Sequence, residues 1–298
     1  MSRQRASIFF ALVVSATASP PSLRRAHLYL AALPNASSEA VYAASWAQFG
    51  RPPTARGSHT LVLPAYALTP SGGLGLQPGG DALESFGVPA LRAQSPQPRV
   101  YGGLALTDDA AIALAAANTS ALVAALVARA HALNYSGWEL GYAPTHGGTG
   151  APLSALLNAS GAALAARGLE LSLSVQGCPL SGDFACGDAG ALPLLAVATV
   201  DSRHVASVCA LEALQDLDGD PHTGVGALWA PTLSPGDSGQ ATFRASARFL
   251  ASVEACYPCI SVVAVVPTPD WPQPEWFFDS VNGFVDAPLP ALPVQTMH

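Results

Sequence analysis

Eight short apolar runs, separated by helical or loop-rich segments, constrain this chain more than any other feature. They fall at residues 26–33, 59–68, 99–106, 137–142, 169–176, 194–201, 225–230 and 261–266. Most are apolar almost throughout rather than alternating, as expected of parallel strands covered by helices. Helical patterns lie between them at 38–48, 108–133 (with a break near Asn118), 153–167, 205–217, 240–256 and 276–285. In the third of these, Leu153, Leu156, Leu157 and Leu164 are spaced for one helix face. The stretch 69–97, rich in Gly and Pro, shows little helix, and the link between the fifth and sixth strands is also poorly helical.

Eight such units in 298 residues match an α/β fold, a single (β/α)8 TIM barrel, typically about 250 residues long. A doubly wound sheet is the rival, but no Gly-rich phosphate fingerprint follows the first strand. Nothing in the chain reads as an interdomain linker. The expected organisation is a signal peptide over 1–18, the barrel over 19–285 and a Pro-rich tail over 286–298.

The signal is read from Arg3 and Arg5, the apolar run 8–14 and the small residues Ala16-Thr17-Ala18. That run is too short to span a bilayer, and no second apolar segment reaches membrane length. The chain has five Asn, of which four begin an N-x-S/T sequon: Asn35, Asn118, Asn134 and Asn158. Chance would give about one such match in five, so a secreted glycoprotein is expected. Five Cys suit that compartment. Cys178 and Cys186 bracket a short polar loop and are expected to pair. Cys209, Cys256 and Cys259 keep several pairings open. Cys256-Tyr257-Pro258-Cys259 has redox spacing, but it closes a helix and precedes a strand instead of opening a helix, so a structural bridge is the better reading.

All thirteen basic residues are Arg, without a cluster or stripe, and formal net charge is −7. This argues against a nucleic-acid partner. Asp216-Leu217-Asp218-Gly219-Asp220 invites a calcium reading, but position twelve of such a loop is Ala227 rather than Glu. His146 and His222 show no metal-ligand spacing, no G-x-S-x-G elbow follows any strand, and neither a metal nor a cofactor is expected.

The segment Ser136-Gly137-Trp138-Glu139-Leu140-Gly141-Tyr142-Ala143-Pro144 resembles the fourth-strand motif D-G-x-D-x-D-x-E of glycoside hydrolase family 18, the chitinase family. Ser136, Glu139, Gly141 and Ala143 fall on its four acidic positions. Further resemblances follow in order along most of the chain. The second strand ends Pro64-Ala65-Tyr66-Ala67-Leu68 before the turn Ser71-Gly72-Gly73. Val100-Tyr101-Gly102-Gly103 sits where the family carries S-x-G-G, with the Gly pair kept and the Ser lost. Asp201 falls at the end of strand six, and Trp271-Pro272-Gln273-Pro274-Glu275-Trp276 resembles the W-P-x-P-x-W segment after strand eight.

The resemblance implies a mechanism in which the substrate's N-acetyl oxygen is the nucleophile, an exception to the two-carboxylate scheme. The final Glu protonates the leaving oxygen, and the Asp before it orients the acetamido group. Ala143 cannot donate a proton and Gly141 cannot hold an acetamide. General acid catalysis alone is worth roughly 10²–10⁴-fold, so a catalytically inactive, glycan-binding pseudo-enzyme is the leading expectation. Glu139 should face the barrel interior, roughly 13 Å along the strand from Ala143, where it serves either as a structural carboxylate, the favoured reading, or as a displaced acid.

Substrate contacts are expected from Tyr66, Glu139, Asp201 and Trp271. Core packing is an equal alternative for the aromatics, as helix capping is for Asp201. Tyr142 alternates away from the axis and ranks lower, and Trp276 reads as packing. Two other functions stay open: an active glycosidase on N-acetylglucosamine-type or other glycans using Glu139 or Asp201, and a structural or inhibitory secreted protein without a sugar site. The sequence sets no oligomeric state.

Overall fold

The computed structural model describes residues 25–30, 32–33, 38–46, 58–94, 97–142, 150–175, 197–201, 224–229 and 262–265. Eight parallel strands close a barrel: β1 Arg25–Tyr29, β2 Ser58–Leu68, β3 Arg99–Leu106, β4 Gly137–Tyr142, β5 Glu170–Val175, β6 Val197–Asp201, β7 Gly224–Trp229 and β8 Val262–Val265. Each pairs with the next, and β1 pairs with both β2 and β8. All eight apolar runs of the sequence supply a barrel strand.

Six helices are described: α1 Glu39–Trp46, α2 Gly80–Ala82, α3 Val88–Arg92, α4 Asp109–Ala117, α5 Thr119–Leu133 and α6 Gly150–Ala165. The expected helix 108–133 is two, meeting at 94° at Asn118. Asp108 starts α4 by accepting the amides of Ala110 and Ala111 at 2.9 and 3.3 Å, which satisfies two of its orphan donors. Asn134 ends α5 in the left-handed conformation (φ 55°), a conformation Asn tolerates. No single helix among the described residues is long and apolar enough to cross a membrane. The expected helices at 205–217, 240–256 and 276–285, the signal, the tail, every Cys and the acidic run at 216–220 lie outside the described residues.

The stretch 69–97 corrects the sequence reading. After a short antiparallel arm, Leu74–Leu76, it forms helix over Gly80–Arg92, with a π-helical turn at Leu83–Gly87 joining α2 to α3. Pro89 explains both the misreading and the turn. Within a regular helix its ring would clash with the carbonyl four residues back and it donates no N–H. Widening the preceding turn relieves this.

The core lies between barrel and helices. Leu28, Leu61, Leu104, Trp138, Leu140 and Leu173 point outward from their strands into it and are buried. Gly102 and Gly103 make close approach possible on both faces of β3. A Cβ on Gly102 would meet the Trp138 indole at 2.6 Å, and one on Gly103 the Pro64 Cα at 2.9 Å.

Tyr66 and Tyr135 share this outer layer. Their hydroxyls are 3.2 Å apart, and Tyr66 donates to Glu84, which also meets Arg129 at 3.2 Å. Burial, with Tyr135 and Glu84 alongside, pushes Tyr66 well above the ordinary phenol range. Burial also pushes Tyr135 up to about 12. Below pH 10 both hold their protons folded and unfolded. Above it, the unfolded chain loses them first. Stability is therefore expected to fall as pH rises from about 10 toward 12, by about 1.4 kcal/mol per pH unit for each tyrosine that stays neutral. Denaturant midpoints across that range check this, and Tyr66→Phe should flatten the slope.

Candidate functional site

The interior of the barrel is built from strand parity. His27 and Tyr29 of β1, Thr60 of β2, Glu139 and Gly141 of β4, and Ser172 and Ser174 of β5 occupy inward positions, while their neighbours join the outer core. Glu139 is the single acid kept at the four motif positions, and its side chain is 2% exposed. The Tyr29 hydroxyl donates to its Oε1 at 2.5 Å. His27 Nδ1 stands 3.3 Å from its Oε2, an ion-pair distance when His27 is protonated, though neither atom makes a hydrogen bond there. The imidazole also meets the Tyr101 ring edge-on at 5.8 Å. A carboxylate this buried requires such partners. Glu139 is thus a buried carboxylate contacted from β1.

Ser136, the first motif position, precedes β4 and ties three strands through its backbone. Its N–H reaches the Val100 carbonyl at 2.8 Å, and its carbonyl accepts the Glu170 N–H at 3.1 Å. Gly141 is one step toward the mouth from Glu139 on the same face. Among the described residues, a Cβ there would touch the Leu104 carbonyl alone, at 3.9 Å. On the same strand, a Cβ on Gly137 would lie 2.5 Å from the Glu170 carbonyl oxygen. Two glycines on one face thus have opposite expected outcomes. Gly137→Ala should destabilise by about 1–3 kcal/mol through backbone displacement. Gly141→Ala should be neutral or stabilise by about 0.5 kcal/mol, because it restricts the unfolded chain without a clash. Urea denaturation of the pair measures both.

At the opposite end, where the strands begin, Arg99 and Glu170 pair at 2.5 Å, with Tyr101 donating to Glu170. Burial would lower the Arg99 guanidinium, but Tyr101 and Glu170 outweigh it and hold it above its ordinary value. Both side chains are about one-third exposed, at 32% and 33%, so solvent screens the pair and it closes the base without adding much stability.

Tyr66 is not at the mouth. It is 1% exposed and packs edge-on against Trp138, at 5.1 Å, and Tyr135, at 6.5 Å. The cause is a register irregularity between Leu63 and Tyr66. Thr60 and Val62 face inward, but past Pro64 the parity reverses and Tyr66 pairs with the outward Leu104. Proline lacks the ladder N–H and is suited to such a bulge. No ring face of Tyr66 is open to a sugar. Tyr142 is likewise buried in the outer core.

Asp201 is the last residue of β6, its backbone paired with Leu228. Ala143 and Trp271 lie outside the described residues. His27 and Tyr29 were not singled out from sequence. Their signal was two polar-tipped residues spaced by two in an otherwise apolar strand. No group of three His, Cys, Asp or Glu that could hold a metal ion occurs among the described residues. Asn118, Asn134 and Asn158 are exposed, whereas Asn35 is outside the described residues.

No family model matches the chain, and no curated protein does either. Solved structures do. A glycoside hydrolase family 18 chitinase from Pseudoalteromonas aurantia superposes with TM-score 0.63 at 12% identity, over 86% of this chain and 99% of that one. A chitinase from Chromobacterium violaceum gives 0.62 at 14%, over 89% and 99%. The spore cortex-lytic enzyme SleL of Bacillus megaterium gives 0.57 at 11%, over 89% and 75%. At such identities the likeness establishes the fold alone: a TIM barrel like that of these chitinases.

Proposed function

We propose that this chitinase-like barrel is a secreted glycoprotein that binds an N-acetylglucosamine-type glycan at the C-terminal ends of its strands without hydrolysing it. One observation carries the reading: the remaining acid of the motif, Glu139, is engaged by Tyr29 and His27 below the mouth. Gly141 presents no group to an acetamide, and Ala143 has no proton to give. The glycan class is supported by the relatives described as chitinases. Fold alone does not grant function, so the substitutions and not the barrel decide against catalysis. The leading signal-like residues 1–18 and the sequons support secretion.

Asp201 closes β6 at the end of the barrel where such enzymes keep functional groups. That placement supports the second reading, a glycosidase with a relocated acid. Calorimetric titration with N-acetylglucosamine oligomers separates the possibilities. Saturable binding without product formation is the expected result. No measurable affinity would contradict it and favour a structural or inhibitory barrel.

A further inference from the structure

The geometry points to a buried water site on the barrel axis, built around the His27–Glu139 pair. Five polar atoms on four inward residues there have no hydrogen-bond partner among the described residues: His27 Nδ1 and Nε2, Thr60 Oγ1, Ser172 Oγ and Glu139 Oε2. His27, Thr60 and Ser172 are 0% exposed and Glu139 is 1% exposed. They face the interior as two register pairs. Thr60 is the register partner of His27, and Ser172 that of Glu139. Register partners in a parallel sheet share a face, and His27 and Glu139 approach to 3.3 Å across the barrel.

Unsatisfied buried polar groups are rare, and a cluster of them is the usual surrounding of an ordered water making about three hydrogen bonds. The chemistry here suits water. Two hydroxyls can donate or accept, the imidazole nitrogen can do either, and the carboxylate oxygen accepts. Water beside the pair completes the environment of Glu139 from inside the barrel, so that its carboxylate needs no ligand at the mouth. Tyr29 donates to one oxygen, and water joins His27 at the other.

The sign of one substitution tests this. Thr60→Val keeps the shape and removes the hydroxyl. If that hydroxyl binds water, the thermal midpoint of the full chain should fall by about 2–4 °C, the shift for roughly one hydrogen bond in a domain approaching this size. If it binds nothing, removing an unsatisfied group should leave the midpoint unchanged or raise it. A crystal structure of the wild-type chain, at a resolution that orders solvent, gives the second readout. Solvent density within hydrogen-bond distance of Thr60 Oγ1 and either Ser172 Oγ or Glu139 Oε2 is expected. A dry axis, or a midpoint that does not fall, overturns the proposal.

Discussion

Trp138→Ala should cost about 3–5 kcal/mol of folding stability, the range for removing a fully buried large aromatic. Trp138 is 0% exposed on the outer face of β4. Its indole N–H donates to the Leu126 carbonyl of α5 at 3.2 Å, and its ring meets Tyr66 and Tyr135 edge-on at 5.1 and 5.7 Å. One side chain thereby joins the motif strand, the preceding crossover helix and the bulged end of β2. The Gly102 position is shaped to the same ring, so the surrounding backbone cannot collapse into the hole that Ala leaves. Denaturant unfolding reads the loss. A cost below about 1 kcal/mol would mean that this contact is not part of the folded core.

Glu139→Ala should cost about 1–3 kcal/mol, because it removes the buried acceptor that Tyr29 and His27 are packed around. The Tyr29 hydroxyl would lose this acceptor, and His27 Nδ1 the carboxylate oxygen 3.3 Å away. Glu139→Gln should cost less, since an amide oxygen still accepts from Tyr29. This ordering, Ala worse than Gln with both readable in denaturation midpoints, is what a structural carboxylate requires. Equal stability for wild type and both variants would remove the structural role and return Glu139 to the acids available for chemistry.

The barrel was legible because parallel strands buried on both faces leave apolar runs that need no neighbour to be recognised. The break at Asn118 was legible for a similar local reason, a polar residue interrupting an Ala-rich helical pattern. What escaped notice depended on pairing. Gly79-Gly80 and Pro89 made 69–97 read as loop, although a π-helical turn accommodates the proline. Tyr66 is a sugar-stacking candidate by its aromatic ring alone, and the irregularity between Leu63 and Tyr66, invisible in the sequence, turns it to the outer face. Glu139 was correctly aimed inward because β4 is regular over Gly137–Tyr142. Its partners were not, since only the closed barrel brings Tyr29, 110 positions away in sequence, to 2.5 Å and His27 to 3.3 Å.

On the proposed function, hydrolysis of the chitinase type is lost while the barrel remains. Release of reducing ends from N-acetylglucosamine oligomers, by wild-type chain and by Glu139→Gln in parallel, tests it most directly. The account predicts no turnover above the uncatalysed background for either protein. Wild-type turnover that Glu139→Gln abolishes, in a variant that remains folded, would contradict it and make the buried carboxylate a relocated acid.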